Sequence, residues 1–442
     1  MNFKKFISSH GTVIALLITV IFGGLVFWIY DSGYKNMPSK IKELPIEIIN
    51  QDPDSKDLAE NIKAKAPFKH VKISSDLKKG KENLDQRKCY LLIAIPANFK
   101  HNLSHGKNAK VKFYLNDSNQ MSVSSSLNAV ANKMGQAIDK KIQIQSQTIK
   151  IAKPQLAKLQ LELNKQRANA EIEINTARRS IAQAPKQMQP ALIKKLKTQT
   201  VLRQKQVVKK ALKQKQQIIS QSKQKALAQQ SKTSSFTIQH RNSVPKGLNN
   251  ALAPFFINIT LNLGTLMGAL LLYGVYAKFA SKIGRWKSFA YLECTYLLIA
   301  FLASLIVSAI DLKILPGSMA NYSNIMFGHT LAIFLYYNFN TIALLLLGQI
   351  GTPINIILTM IQVVSGAGII PLIGMNSFFN LVHYISPVYY GIQSDFNFLY
   401  GGTLSSEQQI GFWLLLVGIL LVNMIIVTIR HKQPTLKFDE LS

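Results

Sequence analysis

ALAPFFINITLNLGTLMGALLLYGVYAKFASKIGRWK, residues 251–287, carries the reading on which the fold of this chain turns. From Leu252 to Tyr276 there is no charged side chain; at about 1.5 Å per helical residue the run covers a hydrocarbon core of about 30 Å. Lys278, Lys282, Arg285 and Lys287 follow at once. Lipid offers no partner to an open backbone or a free charge, so such a run predicts a spanning helix that ends at a cationic turn. Ser288 to Ile310, Ile325 to Leu347, Pro353 to Ile373 and Ile410 to Ile429 repeat the pattern. A lone run from Thr12 to Tyr30 precedes them all. It is longer than the apolar core of an ordinary signal peptide, and no A-x-A-like site lies between Gly24 and Asp31, so it reads as an uncleaved anchor. The pattern predicts six crossings, one before residue 31 and five after residue 250.

With six crossings both termini share a side. Lys4, Lys5, Lys278, Lys282, Arg285, Lys287, Arg430, Lys432 and Lys437 all fall on one face, while the opposite short loops, Asp311 to Asn324 and Met375 to Gln409, hold only Lys313. The positive-inside bias then predicts cytoplasmic termini, a tail at 431–442 and a cell-membrane location.

The 442 residues are 48% hydrophobic yet carry a net charge of +31, and the two properties occupy different places. About 42 of the Lys/Arg and about 15 of the Asp/Glu lie between residues 31 and 250. That segment is expected outside the cytoplasm, and its charge is compatible with export because long translocated domains escape the charge rule. Pro45 to Asn50, Val71 to Ser74, Cys89 to Ile95 and Lys110 to Leu115 read as strands, separated by helical patterns near Asp57 to Lys65, Asp76 to Gln86 and Ala97 to Ser104. The expectation is an α/β domain over 40–120, its sheet covered on one face, with a returning strand at 235–242. Between them, over 122–232, Leu156, Leu159, Leu163, Ala170, Ile174, Ala177 and Ile181 form one apolar stripe, and Leu192, Leu196, Val201, Val208, Leu212 and Ile219 another. Pro185 and Pro190 break the run between the stripes. A long antiparallel helical hairpin is predicted, with Pro154 starting or kinking its first arm. The fold class is thus a membrane all-α bundle of six transmembrane helices with an inserted extracytoplasmic α/β domain that carries this hairpin. So many lysines attract anionic envelope polymers or lipid head groups, though on a solvated hairpin they also serve solubility alone, and nothing marks a specific nucleic-acid site.

Chemistry is sparse. No P-loop motif, no H-E-x-x-H, no G-x-S-x-G and no His/Cys cluster occurs, so the chain has no nucleotide-binding or hydrolytic motif of its own and no cofactor is implied. Any ATP is handled by a partner. Cys89 and Cys294 lie in different domains and form no pair. Inside the apolar segments Asn258, Asn262, Glu293, His329, Asn338, Asn340 and Gln362 either line a polar path or bond helices to one another. Glu293 either marks that path or reaches the interface or the nearby Arg285 or Lys287. QVVSGAGIIP, residues 362–371, groups Ser365, Gly366 and Gly368 before Pro371, which predicts a bend; the semi-apolar stretch that follows, about 375–390 and including Pro387, is too short to cross and return and suits a re-entrant hairpin.

IEIINQDPD at 46–54, YLLIAIPANFKHNLSHGK at 90–107, ALAPFFINITLNLGTLMG at 251–268, QVVSGAGIIP and YISPVYYGI at 384–392 resemble, in order, elements of the ABC-2 type exporter permeases, within them the phage-infection-protein (Pip/YhgE) and nitrosoguanidine-resistance-like branch. The resemblance implies a permease subunit that pairs with a second half. A separate ATPase would dock on the turn containing Lys278, Lys282, Ile283, Arg285, Trp286 and Lys287, and a hydrophobic or amphiphilic compound or envelope component would move outward. The other reading is an ATPase-independent surface protein acting as receptor or envelope scaffold.

Overall fold

The computed structural model describes residues 29–30, 33, 39–105, 107, 109–228, 234–315 and 321–431. The predicted first span lies outside the described residues except for Ile29 and Tyr30, as does the tail from residue 432.

Strands β1 (Ile46–Asn50), β2 (Val71–Ser74), β3 (Leu91–Ile95), β4 (Val111–Asn116) and β5 (Phe236–Arg241) form one sheet in the order β2-β1-β3-β4-β5. Only β3 and β4 run antiparallel. Between them in sequence stand α1 (Lys56–Lys65) after β1, α2 (Leu77–Asp85) after β2 and α3 (Phe99–Ser104) after β3. Every predicted strand and helix of this part is present within a few residues.

The sheet is covered on both faces, where the sequence suggested one. Ile46, Ile48, Leu91, Ile93, Val111 and Phe113 pack under Ala59 and Ile62 of α1 and Phe99 and Leu103 of α3. Ile49, Leu92, Ala94 and Tyr114 point the other way and meet Leu84 of α2. Parallel strands need crossover helices, and crossovers on both sides bury both sets of alternating side chains.

The parallel neighbours β4 and β5 are joined by the largest crossover, α4 (Met121–Ala182) and α5 (Gln189–Ala228). At about 1.5 Å per residue these measure about 93 and 60 Å. The first turns of α4 bury Val123, Leu127 and Ala131 against the sheet. Farther on, Leu159, Leu163, Ala170 and Ile174 face Leu196, Val207, Val208 and Ala211 of α5. Pro154 starts no helix: α4 is already thirty-odd residues long there and continues through it.

A bundle of apolar helices follows. α6 (Leu248–Ile283), α7 (Arg285–Ile314), α8 (Tyr322–Leu347) and α9 (Gly351–Ser365) come in succession. α10 (Ser377–Val382) and α11 (Pro387–Tyr400) are shorter, and α12 (Ser406–Ile429) closes the bundle. Among the described residues four stretches are long and apolar enough to cross a membrane, one of them the 44 residues of α8 and α9 taken together. That stretch is not one rod. Gly348 sits at φ +67, and Asn355 Nδ2 donates to Asn340 O at 2.7 Å, so the chain reverses at Gly348–Ile350 and α9 lies back along α8. α9 alone is about 22 Å long and ends eight residues before Ile373. It runs from the end where Leu345 O accepts from Arg430 to the end where Ala367 O accepts from Gln120 of the sheet domain.

Candidate functional site

The site is built along one face of α6. Asn258, Asn262 and Thr265, spaced by four and three, share that face and are fully buried. α8 runs beside it and offers His329, Tyr336 and Asn340, again on one helical stripe. Three polar layers result.

In the layer nearest the sheet domain, Asn258 Nδ2 donates to Asp395 Oδ2 at 2.7 Å and Tyr336 Oη donates to Asn258 Oδ1 at 2.7 Å. His329 Nε2 lies 3.1 Å from Asp395 Oδ1; its Nδ1 is 3.0 Å from Ser308 Oγ and 3.8 Å from Asp311 Oδ2. α11 comes close enough for this because residue 391 is glycine: a Cβ there would collide with Asn258 Oδ1 and Tyr336 Oη. In the second layer Asn262 Nδ2 donates to Thr359 Oγ1 at 3.2 Å, and Asn340 Nδ2 donates to Asn262 Oδ1 at 3.4 Å and Thr265 Oγ1 at 3.3 Å. The third joins Asn338 to Asn423, whose Nδ2 donates to Asn338 Oδ1 at 3.1 Å. Asn340 Oδ1, Asn355 Oδ1 and Gln362 Nε2 remain buried without a hydrogen-bond partner.

The predicted polar set is therefore divided. Asn258 and His329 share Asp395, Asn262 meets Asn340, and Asn338 lies beside Glu293. Gln362 accepts weakly from Val388 N at 3.4 Å. Glu293 is half-buried, lies beside Asn338 and pairs with neither Arg285 nor Lys287. Sequence reading passed over Asp395, Asp311 and Tyr336. Asp395 is the single carboxylate between Asp311 and Glu407, and a lone acid in a semi-apolar stretch was the available signal. Among the described residues no group of His, Cys, Asp or Glu is arranged to hold a metal ion.

The bend also differs in detail. α9 stops at Ser365, but the residue in the left-handed region is Ala367 at φ +53, not Gly366. Gly368 is needed for packing, since a Cβ there would strike Phe255. The sheet domain holds the bend: Gln120 Nε2 donates to Ala367 O at 2.7 Å and Ser122 Oγ to Ile369 O at 2.9 Å. After Pro371 the stretch predicted to be re-entrant forms α10, one 3-10 turn at His383–Ile385 and, from Pro387 at its first position, α11.

A second joint meets α11 beside Asp395. Arg87 is buried and its guanidinium donates to Ser118 O at 2.9 and 2.7 Å, to Ser118 Oγ at 2.9 Å and to Asn397 Oδ1 at 2.6 Å. Ser118 Oγ donates to Phe396 O at 2.5 Å. Burial lowers the Arg87 pKa to about 10, so it remains a cation at neutral pH.

At the opposite end α6 passes into α7 through Gly284 alone, at φ +88. Lys278, Lys282, Ile283, Trp286 and Lys287 are exposed at this corner, while Arg285 is half-buried and meets His431.

A buried polar stripe thus runs through the apolar helices, with a sheet domain seated on one end and a cationic corner at the other. The family profile described as ABC-2 family transporter protein matches residues 10–429. The chain belongs to the ABC-2 transporter family. As an ABC-2 transporter it is a membrane protein of the exporter permease class. Among solved structures it is similar to one described as "a domain of a putative ABC type-2 transporter from Thermotoga maritima MSB8", with 20% identity over 22% of this chain and 68% of that chain and a TM-score of 0.18. No curated protein matches this ABC-2 transporter.

Proposed function

We propose that this ABC-2 transporter is the permease subunit of an exporter powered by a separate P-loop ATPase. It would work as a pair of permease halves, in six crossings with cytoplasmic termini, moving a hydrophobic or amphiphilic compound or envelope component outward. Its place in the phage-infection-protein-like branch rests on the sequence resemblance alone. The observation that carries the reading is the corner at Gly284. Phe279, Ile283 and Trp286 are 45%, 37% and 43% exposed, and exposed Lys278, Lys282 and Lys287 surround them. An apolar knob ringed by cations, at the end of the bundle remote from the sheet domain, suits docking on another protein. The polar stripe with its unpartnered Asn340, Asn355 and Gln362 atoms supports a path for polar parts of a substrate. Co-purification of an ATPase with the tagged permease, lost in Ile283→Glu with Trp286→Ala while the protein still inserts and folds, is the expected result. Retention of the ATPase by that variant would reject the corner as its dock.

A second reading, a surface receptor or scaffold for anionic envelope polymers, is favoured by α5, which carries eleven exposed Lys/Arg and no carboxylate. Deletion of 146–231 that abolishes binding of a polyanionic wall polymer and leaves export untouched would support it. Unchanged polymer binding would remove it.

A further inference from the structure

The His329 layer contains one imidazole and two carboxyl groups and, among the described residues, no Lys or Arg pairs with any of them. Facing the imidazole are Asp395 from α11 and Asp311 from α7; α6 contributes only neutral Asn258, and α8 itself adds Tyr336 through that amide. Tyr400 lies beyond Asp395 on α11. His329 and Asp395 are each 1% exposed and Asp311 is 14% exposed, with its Oδ2 buried and without a hydrogen-bond partner.

Charge decides what this cluster must hold. With both carboxylates ionised and the imidazole neutral it carries two negative charges, the state these groups would take in water near pH 7. An unbalanced charge buried among apolar helices is costly, and no fixed cation offsets it. One proton makes a His329–Asp395 ion pair and leaves Asp311 in excess; two protons make the cluster neutral. Among the described residues no donor set is arranged to hold a metal ion instead.

We propose that His329, Asp395 and Asp311 form a proton-binding site that holds two protons when the bundle is closed, one on the imidazole and one on a carboxyl. The site is placed to respond to the sheet domain. Asp395 precedes Phe396 and Asn397, the two residues of α11 that bond to Ser118 and Arg87. Motion of the sheet domain that draws α11 from α8 wets the cluster, and the carboxyl proton leaves to water as a hydronium ion; closure takes it back. Opening then becomes tenfold easier per pH unit of increase for each proton released.

The test is infrared spectroscopy of the full chain in ester-free detergent at pH 7, following the carbonyl stretch of protonated carboxyl groups. A Glu293→Gln background removes the other acid of the bundle helices apart from Glu407, which is exposed in the first turn of α12. In that background Asp395→Asn and Asp311→Asn are each expected to remove the band, since the remaining acid pairs with imidazolium. His329→Gln is expected to raise it about twofold, because both carboxyls must then be protonated. Unfolding exposes carboxyls to water, where they ionise at pH 7, so misfolding cannot mimic that gain. A band unchanged by either Asp substitution, or no gain in His329→Gln, overturns the proposal.

Discussion

Arg87 Nη1 lies 2.6 Å from Asn397 Oδ1, a bond between residues 310 positions apart that fastens the sheet domain to α11 two residues beyond Asp395. The same guanidinium lies over the Phe396 ring, 5.5 Å from its centroid. Sheet domain and polar stripe are thus one mechanical unit.

Replacing Arg87 by Met keeps much of the side-chain volume and removes every one of these donors. Ser118 O and Asn397 Oδ1 are left buried and unpaired, and the expected loss is about 2–4 kcal/mol. Thermal unfolding of the purified chain measures it, and hydrogen exchange should localise the loosening to the start of β4's following turn and to residues 396–403. Unchanged exchange at 396–403 would contradict the joint.

Gly391→Ala should disturb the first polar layer more than its one methyl suggests, because the new Cβ lands on Asn258 Oδ1 and Tyr336 Oη. We expect about 1–3 kcal/mol of destabilisation from overpacking. Tyr336→Phe removes one hydrogen bond without a clash and is expected to cost about 1 kcal/mol. Equal midpoints for both variants would show that α11 does not press on that pair.

Asp52 sets a pH dependence for the sheet domain. Burial pushes its carboxyl pKa up, but hydrogen bonds from Lys100 N at 2.8 Å and Ser55 Oγ at 2.6 Å favour the ionised form and bring it below the usual carboxylate value. The folded pKa is the lower one, so the contribution is complete above the unfolded value of about 3.9 and is lost as pH falls through the folded value. Protection of β1 amides, corrected for intrinsic exchange, should fall in that acid window in the parent and fall less in Asp52→Asn. Parallel pH curves for the two proteins would exclude Asp52 as the cause.

The hairpin offers a contrasting case. Glu173 and Arg203 pair across α4 and α5, yet their side chains are 61% and 72% exposed. A solvated pair is worth little, and Glu173→Gln should move stability by less than about 1 kcal/mol. A larger loss in thermal unfolding would mean that this pair, rather than the apolar stripe, holds the arms together.

Orientation is checked by thiol labelling of intact cells in a Cys-free background. A cysteine at Gln187, in the hairpin turn, is expected to react with an impermeant reagent and one at Lys282 is not. The reverse pattern would invert the proposed topology.

The strands of the sheet, the two arms of the hairpin and the apolar passes were legible in the sequence because each is a local property: alternation, a 3.6-residue stripe or an uninterrupted apolar run dictates conformation within its own segment. Even there, neighbours altered the outcome. The sheet is covered twice because crossover order decides which faces are shielded, and α9 stops at Ser365 because the bend at Ala367 is held by Gln120 from another domain. The functional layer was only half legible. Asn258 and His329 stood out as polar residues in apolar helices, but their shared partner Asp395 lies 137 and 66 positions away. A buried hydrogen bond depends on which side chains packing brings within about 3 Å, and no periodicity along the chain encodes that. Sequence alone determined that lipid is the solvent for half of this protein; tertiary packing decided which of its polar groups escape that solvent together.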